Sequence, residues 1–192
     1  MGNENESQDT KKNYILIDSK ASWIDKETDN KLLNKEIQKI INFYVLHVPC
    51  KDLSARAIQL NDTYKLKKEM HLNDSKFFFM AEVWDEMKPV LEDANLSKRF
   101  PPKQYEEKIC VYKKENQLTS VFSHIRNSLA HGRFNIVDSD NESFFILEDF
   151  KPEVDKGEGN RVSARMILKK STLLKWIEII EDGEKNLTKL TT

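Results

Sequence analysis

The chain has 192 residues, 39% of them hydrophobic and 33% charged, enough apolar side chains for one sizeable core and too many for a disordered polymer. Its 31 Lys plus Arg against 32 Asp plus Glu leave a net charge of −1, which argues against indiscriminate coating of nucleic acid while leaving room for a local basic groove. Two cysteines, Cys50 and Cys110, lie too far apart to form a metal site with four scattered histidines, so both read as buried free thiols in a reducing compartment.

The N-terminal stretch MGNENESQDTKKN is polar throughout and lacks the apolar segment of a signal peptide. Glu6 stands where a myristoylation signal needs Ser or Thr. Residues 1–13 read as a disordered tail and 14–192 as a single domain. A first helix is predicted over about 29–47, where Leu32, Leu33, Ile37, Ile40, Ile41, Tyr44 and Val45 recur at helical spacing before Pro49. Its INFYVLHV stretch is far too short to span a bilayer, so a cytoplasmic protein without a membrane partner is expected.

A second helix is predicted over about 53–72, with Leu53, Ala57, Leu60 and Tyr64 on one side. A third starts near Ser75, takes in Phe78, Phe79, Val83, Trp84 and Met87, and kinks or stops at Pro89. Residues 99–102 (RFPP) read as a loop, followed by a short helix through Ile109 and Tyr112. The next helix, about 116–131, carries Leu118, Val121, Phe122, Ile125 and Leu129 on one side and stops at Gly132. Then the period changes. RFNIV and SFFILEDF flank the turn-rich DSDNE as a β-hairpin, and RVSARMILK alternates as a third strand. Ser171 is the predicted cap of a last helix containing Leu173, Leu174, Trp176, Ile177 and Ile180. The fold expected from these elements is mainly α, a helical bundle with a small antiparallel β-hairpin or meander at about 133–168 before the last helix.

RNSLAHGRF, residues 126–134, holds the chemistry. At about 100° per residue, Asn127 and His131 fall together opposite the apolar stripe, with His124 close by and Arg126 at the border. Small Ser123 and Ala130 share that side and suit close approach of another backbone, from a second copy or from the same chain. A histidine or arginine at a helix end also has plain local uses, on the dipole or the last carbonyls.

The stretch I-R-N-S-L-A-H-G resembles the R-x(4–6)-H signature of the HEPN superfamily, including the Asn that often follows its Arg. The long helices before the motif and the helix after it fit the HEPN helical bundle. The tail, a hairpin and then RVSARMILKKSTLLKW, is similar to a subgroup from plasmid and mobile-element genes of bacteria. The likeness is sharp over about 116–180 and architectural over 25–112. It implies a metal-independent endoribonuclease with no cofactor, a bacterial toxin or anti-phage, abortive-infection effector. RNA would be its substrate, and an antitoxin or sensor protein would restrain it.

Carried over, Arg126, Asn127 and His131 would be the catalytic residues for attack of a ribose 2′-hydroxyl on the adjacent phosphodiester. Histidine exchanges protons near neutral pH, arginine offers fixed charge and forked donors to the phosphate, and asparagine could orient either. One copy of each is sparse, and the family answer is a homodimer with two motifs facing one cleft. Arg133, Arg161 and Arg165 are candidate RNA contacts. Arg133 serves equally as a salt bridge, and the Arg161–Lys175 strip is somewhat better read as pairing with the acidic hairpin beside it. His124 reads as a surface or dimer-contact residue. The competing function is an inert HEPN module that binds RNA or a protein, and the plainest alternative is a scaffold whose His131-Gly132 only ends a helix.

Overall fold

The computed structural model describes residues 16–17, 31–47, 67–97, 105–152 and 160–190, and its centre is a β-sheet. Strands β2 (Phe78–Ala81), β3 (Lys108–Tyr112), β4 (Phe134–Ser139), β5 (Glu142–Pro152) and β6 (Asn160–Lys169) lie in the order β2-β3-β6-β5-β4. A two-residue strand, β1 (Leu16–Ile17), pairs with the start of β6. β2 and β3 run parallel, and the other pairings are antiparallel. Around the sheet stand α1 (Lys35–Asn42), extended by a wider turn at Phe43–His47, then α2 (Met87–Asp93), α3 (Gln117–Ala130) and α4 (Lys170–Leu190).

This architecture overturns the mainly α bundle with a small hairpin. The hairpin and third strand form where the patterning put them, but they belong to a larger sheet, because two segments expected to be helical are strands. Phe78 and Ala81 point to opposite layers, as do Ile109 and Cys110, which is a period of two. In short apolar runs such as FFFMA and KICVY, helical and strand periods are hard to separate, although aromatic and β-branched content favours a strand. What settles it is distant: β3 lies between β2 and β6, with Ile109 opposite both Phe78 and Met166.

Both faces of the sheet are covered. One face carries Phe78, Ile109, Val111, Phe145, Leu147, Met166 and Leu168 against α1, α3 and α4. The other carries Cys110, Phe144, Ile146 and Ile167 against Met87 and Leu91 of α2 and the following Ala94 and Leu96. Burial on two sides explains why β5 reads FFIL without polar alternation. Pro89 sits in the first turn of α2, where its missing N–H costs no helical bond.

The remaining elements follow local rules. Asn34 caps α1, accepting from the Glu36 and Ile37 N–H groups at 2.8 and 3.3 Å, so that helix starts later than expected. The β4–β5 turn places Asp140 and Asn141 at φ 51° and 64°, the paired left-handed residues of a tight hairpin turn. α4 starts at Lys170, directly after β6, so Ser171 lies inside its first turn, and its hydroxyl donates to Glu142 at 2.5 Å. The expected tail, most of the second helix with Leu53, Ala57, Leu60 and Tyr64, the 99–102 loop, Pro49 and Cys50 lie outside the described residues. Among the described residues no helix is long and apolar enough to cross a membrane.

Cys110 is fully buried in β3, and burial pushes its thiol far above the ordinary value despite the opposing charge of Arg165. In a Cys50→Ser variant, folded protein is therefore expected to resist thiol reagents until denaturant is added. Prompt stoichiometric labelling in buffer would contradict this placement.

Candidate functional site

Helix α3 is central. Ten of its residues, including Thr119, Ser120, Ser123, His124 and Ser128, are buried. Its polar side therefore packs against its own chain, where short side chains let the sheet come close. Asn116 caps its start, the side chain accepting from the Thr119 N–H at 2.9 Å. At its end Gly132 adopts φ 63°, its N–H donates to the Leu129 carbonyl at 3.2 Å, and the Arg133 N–H donates to Ser128 at 2.7 Å. This bonding pair is the Schellman stop, and it needs a residue free to take positive φ. The abrupt end of RNSLAHG thus has a complete local cause. That cause accounts for Gly132 and leaves Arg126, Asn127 and His131 to be explained.

Those three do not share one environment. Asn127 is half-buried and donates its amide to Asp149 Oδ2 at 3.0 Å. His131 caps the helix end and is exposed, its backbone N–H bonded to the Asn127 carbonyl at 3.0 Å, one turn back. Arg126 is half-buried. Among the described residues, neither the Arg126 nor the His131 side chain has a hydrogen bond or ion pair.

His124 overturns its surface reading. Its side chain is 0% exposed, with Nδ1 2.7 Å from Asp149 Oδ2 and Nε2 2.9 Å from the Tyr112 carbonyl. Asp149 is 4% exposed, and on its other oxygen, Oδ1, the Arg133 Nη1 and the Phe150 N–H donate at 3.5 and 3.0 Å. Oδ2 thus faces both His124 Nδ1 and the Asn127 amide, so polar groups surround the carboxyl on all sides. Because a carbonyl can only accept, His124 donates through Nε2 to Tyr112.

The electrostatics agree. Burial raises the Asp149 pKa, but the hydrogen bond and charge of His124, the Asn127 amide and the charge of Lys114 outweigh it and hold the carboxyl below the usual carboxylate range. Arg133 is 26% exposed, with Cζ 3.4 Å from the centre of the Phe150 ring, and Nη1 also donates to the Phe150 carbonyl at 3.4 Å. Burial lowers its pKa, opposed by the charges of Asp149 and Glu148.

The other candidate arginines part company. Arg165 is 1% exposed, its Nε donating to Glu148 at 2.8 Å and its Nη1 to the Leu96 and Ser97 carbonyls at 2.8 and 3.0 Å. It is a structural tie and presents no surface to RNA. The favoured reading of this strip as a partner of the hairpin acids describes it well, whereas Lys170 and Lys175 pair with Glu36 and Glu69 instead. Arg161 is half-buried near Trp84, 6.0 Å from the ring centre, so the two arginines do not form one shared contact strip. A register irregularity at Asp149/Phe150 separates their positions on β6.

Asp149 was not singled out in the sequence. Its signal was present: two acids, Glu148 and Asp149, continue an apolar strand without a turn, and charged residues there need partners. Among the described residues no three His, Cys, Asp or Glu side chains gather as a metal-binding group.

Residues 1–186 match the family model described as HEPN pEK499 p136. No curated protein and no solved structure matches the chain. The likeness carried by RNSLAHG thus extends well beyond 116–180, and the chain belongs to the HEPN pEK499 p136 family.

Proposed function

We propose that this HEPN protein is an endoribonuclease that needs no divalent metal and works as a homodimer, with the ends of the two α3 helices facing one RNA cleft. The observation that carries this reading is a division of labour: Asn127 and Arg133 are bonded to Asp149, while Arg126, in the last turns of the same helix, and His131, at its cap, have no side-chain partner among the described residues. His131 exchanges the proton as the ribose 2′-hydroxyl attacks, and Arg126 stabilises charge on the phosphate oxygens. A second copy supplies the other proton-transfer group. In the cell such an activity suits a toxin or anti-phage effector held in check by an antitoxin or sensor protein.

Purified protein incubated with mixed RNA in EDTA is expected to give fragments ending in 2′,3′-cyclic phosphate, and light scattering is expected to show a dimer. Cleavage that disappears in EDTA sinks the metal-free mechanism, and a monomer at every workable concentration removes the shared cleft. Protein that binds RNA without cutting it is the inert module.

A further inference from the structure

The cluster around Asp149 has more organisation than a structural ion pair requires. A buried histidine and aspartate could tie α3 to β5 by themselves. Here the same carboxylate also holds Asn127, in the motif, and Arg133, just beyond the helix stop, so one group sets two donors that flank the chain reversal at Gly132. Arg133 is further held over the Phe150 ring, and Phe150 is the next residue of β5.

We infer that Asp149 is the positioning residue of this site, aligning the Asn127 amide and the Arg133 guanidinium as a prepared pair of donors for an RNA phosphate. The inference rests on the ribonuclease reading above and adds to it a residue far from the motif in sequence. The inference includes a role for His124: with Nε2 donating to the Tyr112 carbonyl and Nδ1 donating to the carboxylate, it would pair with Asp149 and leave the Arg133 charge open to phosphate, which a lone carboxylate would cancel. His124 is thereby excluded as a proton shuttle, because both its ring nitrogens are occupied and buried. A merely structural Asp149 would stabilise the fold without affecting how Arg133 meets its ligand.

Two measurements on the full chain test this. In 15N-labelled wild-type protein, the His124 ring is expected to show two slowly exchanging N–H protons; a single ring N–H would overturn the charge arrangement. This reading does not depend on RNA. The second measures binding of a fluorescent single-stranded RNA in a His131→Ala background. Asp149→Asn and Arg133→Ala are each expected to weaken binding on the order of tenfold, as loss of a charged hydrogen bond does. Arg133→Ala should also reduce the salt dependence by about one phosphate contact. The double variant should lose less than the sum of the two single losses, because part of the aspartate's effect runs through the arginine and only the Asn127 share remains to be lost. Additive losses, or unchanged binding by folded Asp149→Asn protein, overturn the inference. If Asp149→Asn does not fold, Phe150→Leu replaces it: the positioned Arg133 should again lose affinity, non-additively with Arg133→Ala, and unchanged binding counts against the inference. Failure of His131 background protein and wild type alike to bind any RNA defeats the ribonuclease reading instead, with the ring N–H protons still reporting on the cluster.

Discussion

His131→Ala is expected to reduce RNA cleavage by about 10²–10⁴-fold, the usual contribution of a positioned proton-transfer group, while leaving the melting temperature almost unchanged. The side chain is exposed and makes no hydrogen bond or ion pair among the described residues, so its removal opens no cavity. The helix stop is formed by Gly132 and the Arg133 N–H through backbone bonds, which alanine at 131 preserves. At most, about 1 kcal/mol of favourable interaction with the helix terminus is lost. Arg126→Ala should behave alike. Cleavage by purified, folded His131→Ala dimer at the wild-type rate would end the catalytic reading of the motif. Mixed dimers offer a sharper reading: one mutant and one intact copy should retain little activity if each cleft uses both.

Arg165→Ala is expected to lower the unfolding free energy by about 3–5 kcal/mol, the cost of leaving a buried ion without its partner. Glu148, buried in the interior, would lose the Arg165 donor, and the Leu96 and Ser97 carbonyls would lose the donor that holds their segment to the sheet. Urea titration followed by tryptophan fluorescence measures the loss. Arg165→Met combined with Glu148→Leu should recover much of it, since no unpaired charge then remains. A folded Arg165→Ala protein of normal stability that is defective only in RNA binding would contradict the structural assignment. The distinction has practical weight, because any loss of activity in this variant follows from unfolding.

Legibility in the sequence tracked the range of the interactions. The ends of α3 could be read directly, because an Asn cap and a Gly stop act within a few residues. So could the β4–β5 hairpin, whose turn residues Asp140 and Asn141 sit next to the strands they join. β2 and β3 could not, because short apolar runs fit either period until their partners are known, and the partner of β3 lies far along the chain in β6. The site divided in the same way. Arg126, Asn127 and His131 were visible as a compact motif, whereas Asp149 enters only when β5 is laid beside α3. His124 was misread because a helical wheel assumes that one face is wet, and here α3 packs on both.

The position of β6 in the sheet has a consequence for how the chain is made. Among the described residues the last strand in sequence is the central one, lying between β3 and β5, so the sheet cannot close until residues through Lys169 have left the ribosome. A sheet assembled from such distant segments folds late and as a unit. Until then α3 has emerged with its Arg and His, but the nascent chain still lacks the finished surface on which Asp149 sets Asn127 and Arg133. For a protein proposed to cut RNA, and born beside messenger and ribosomal RNA, this strand order delays arming of the site until β6 has followed all the other strands into place.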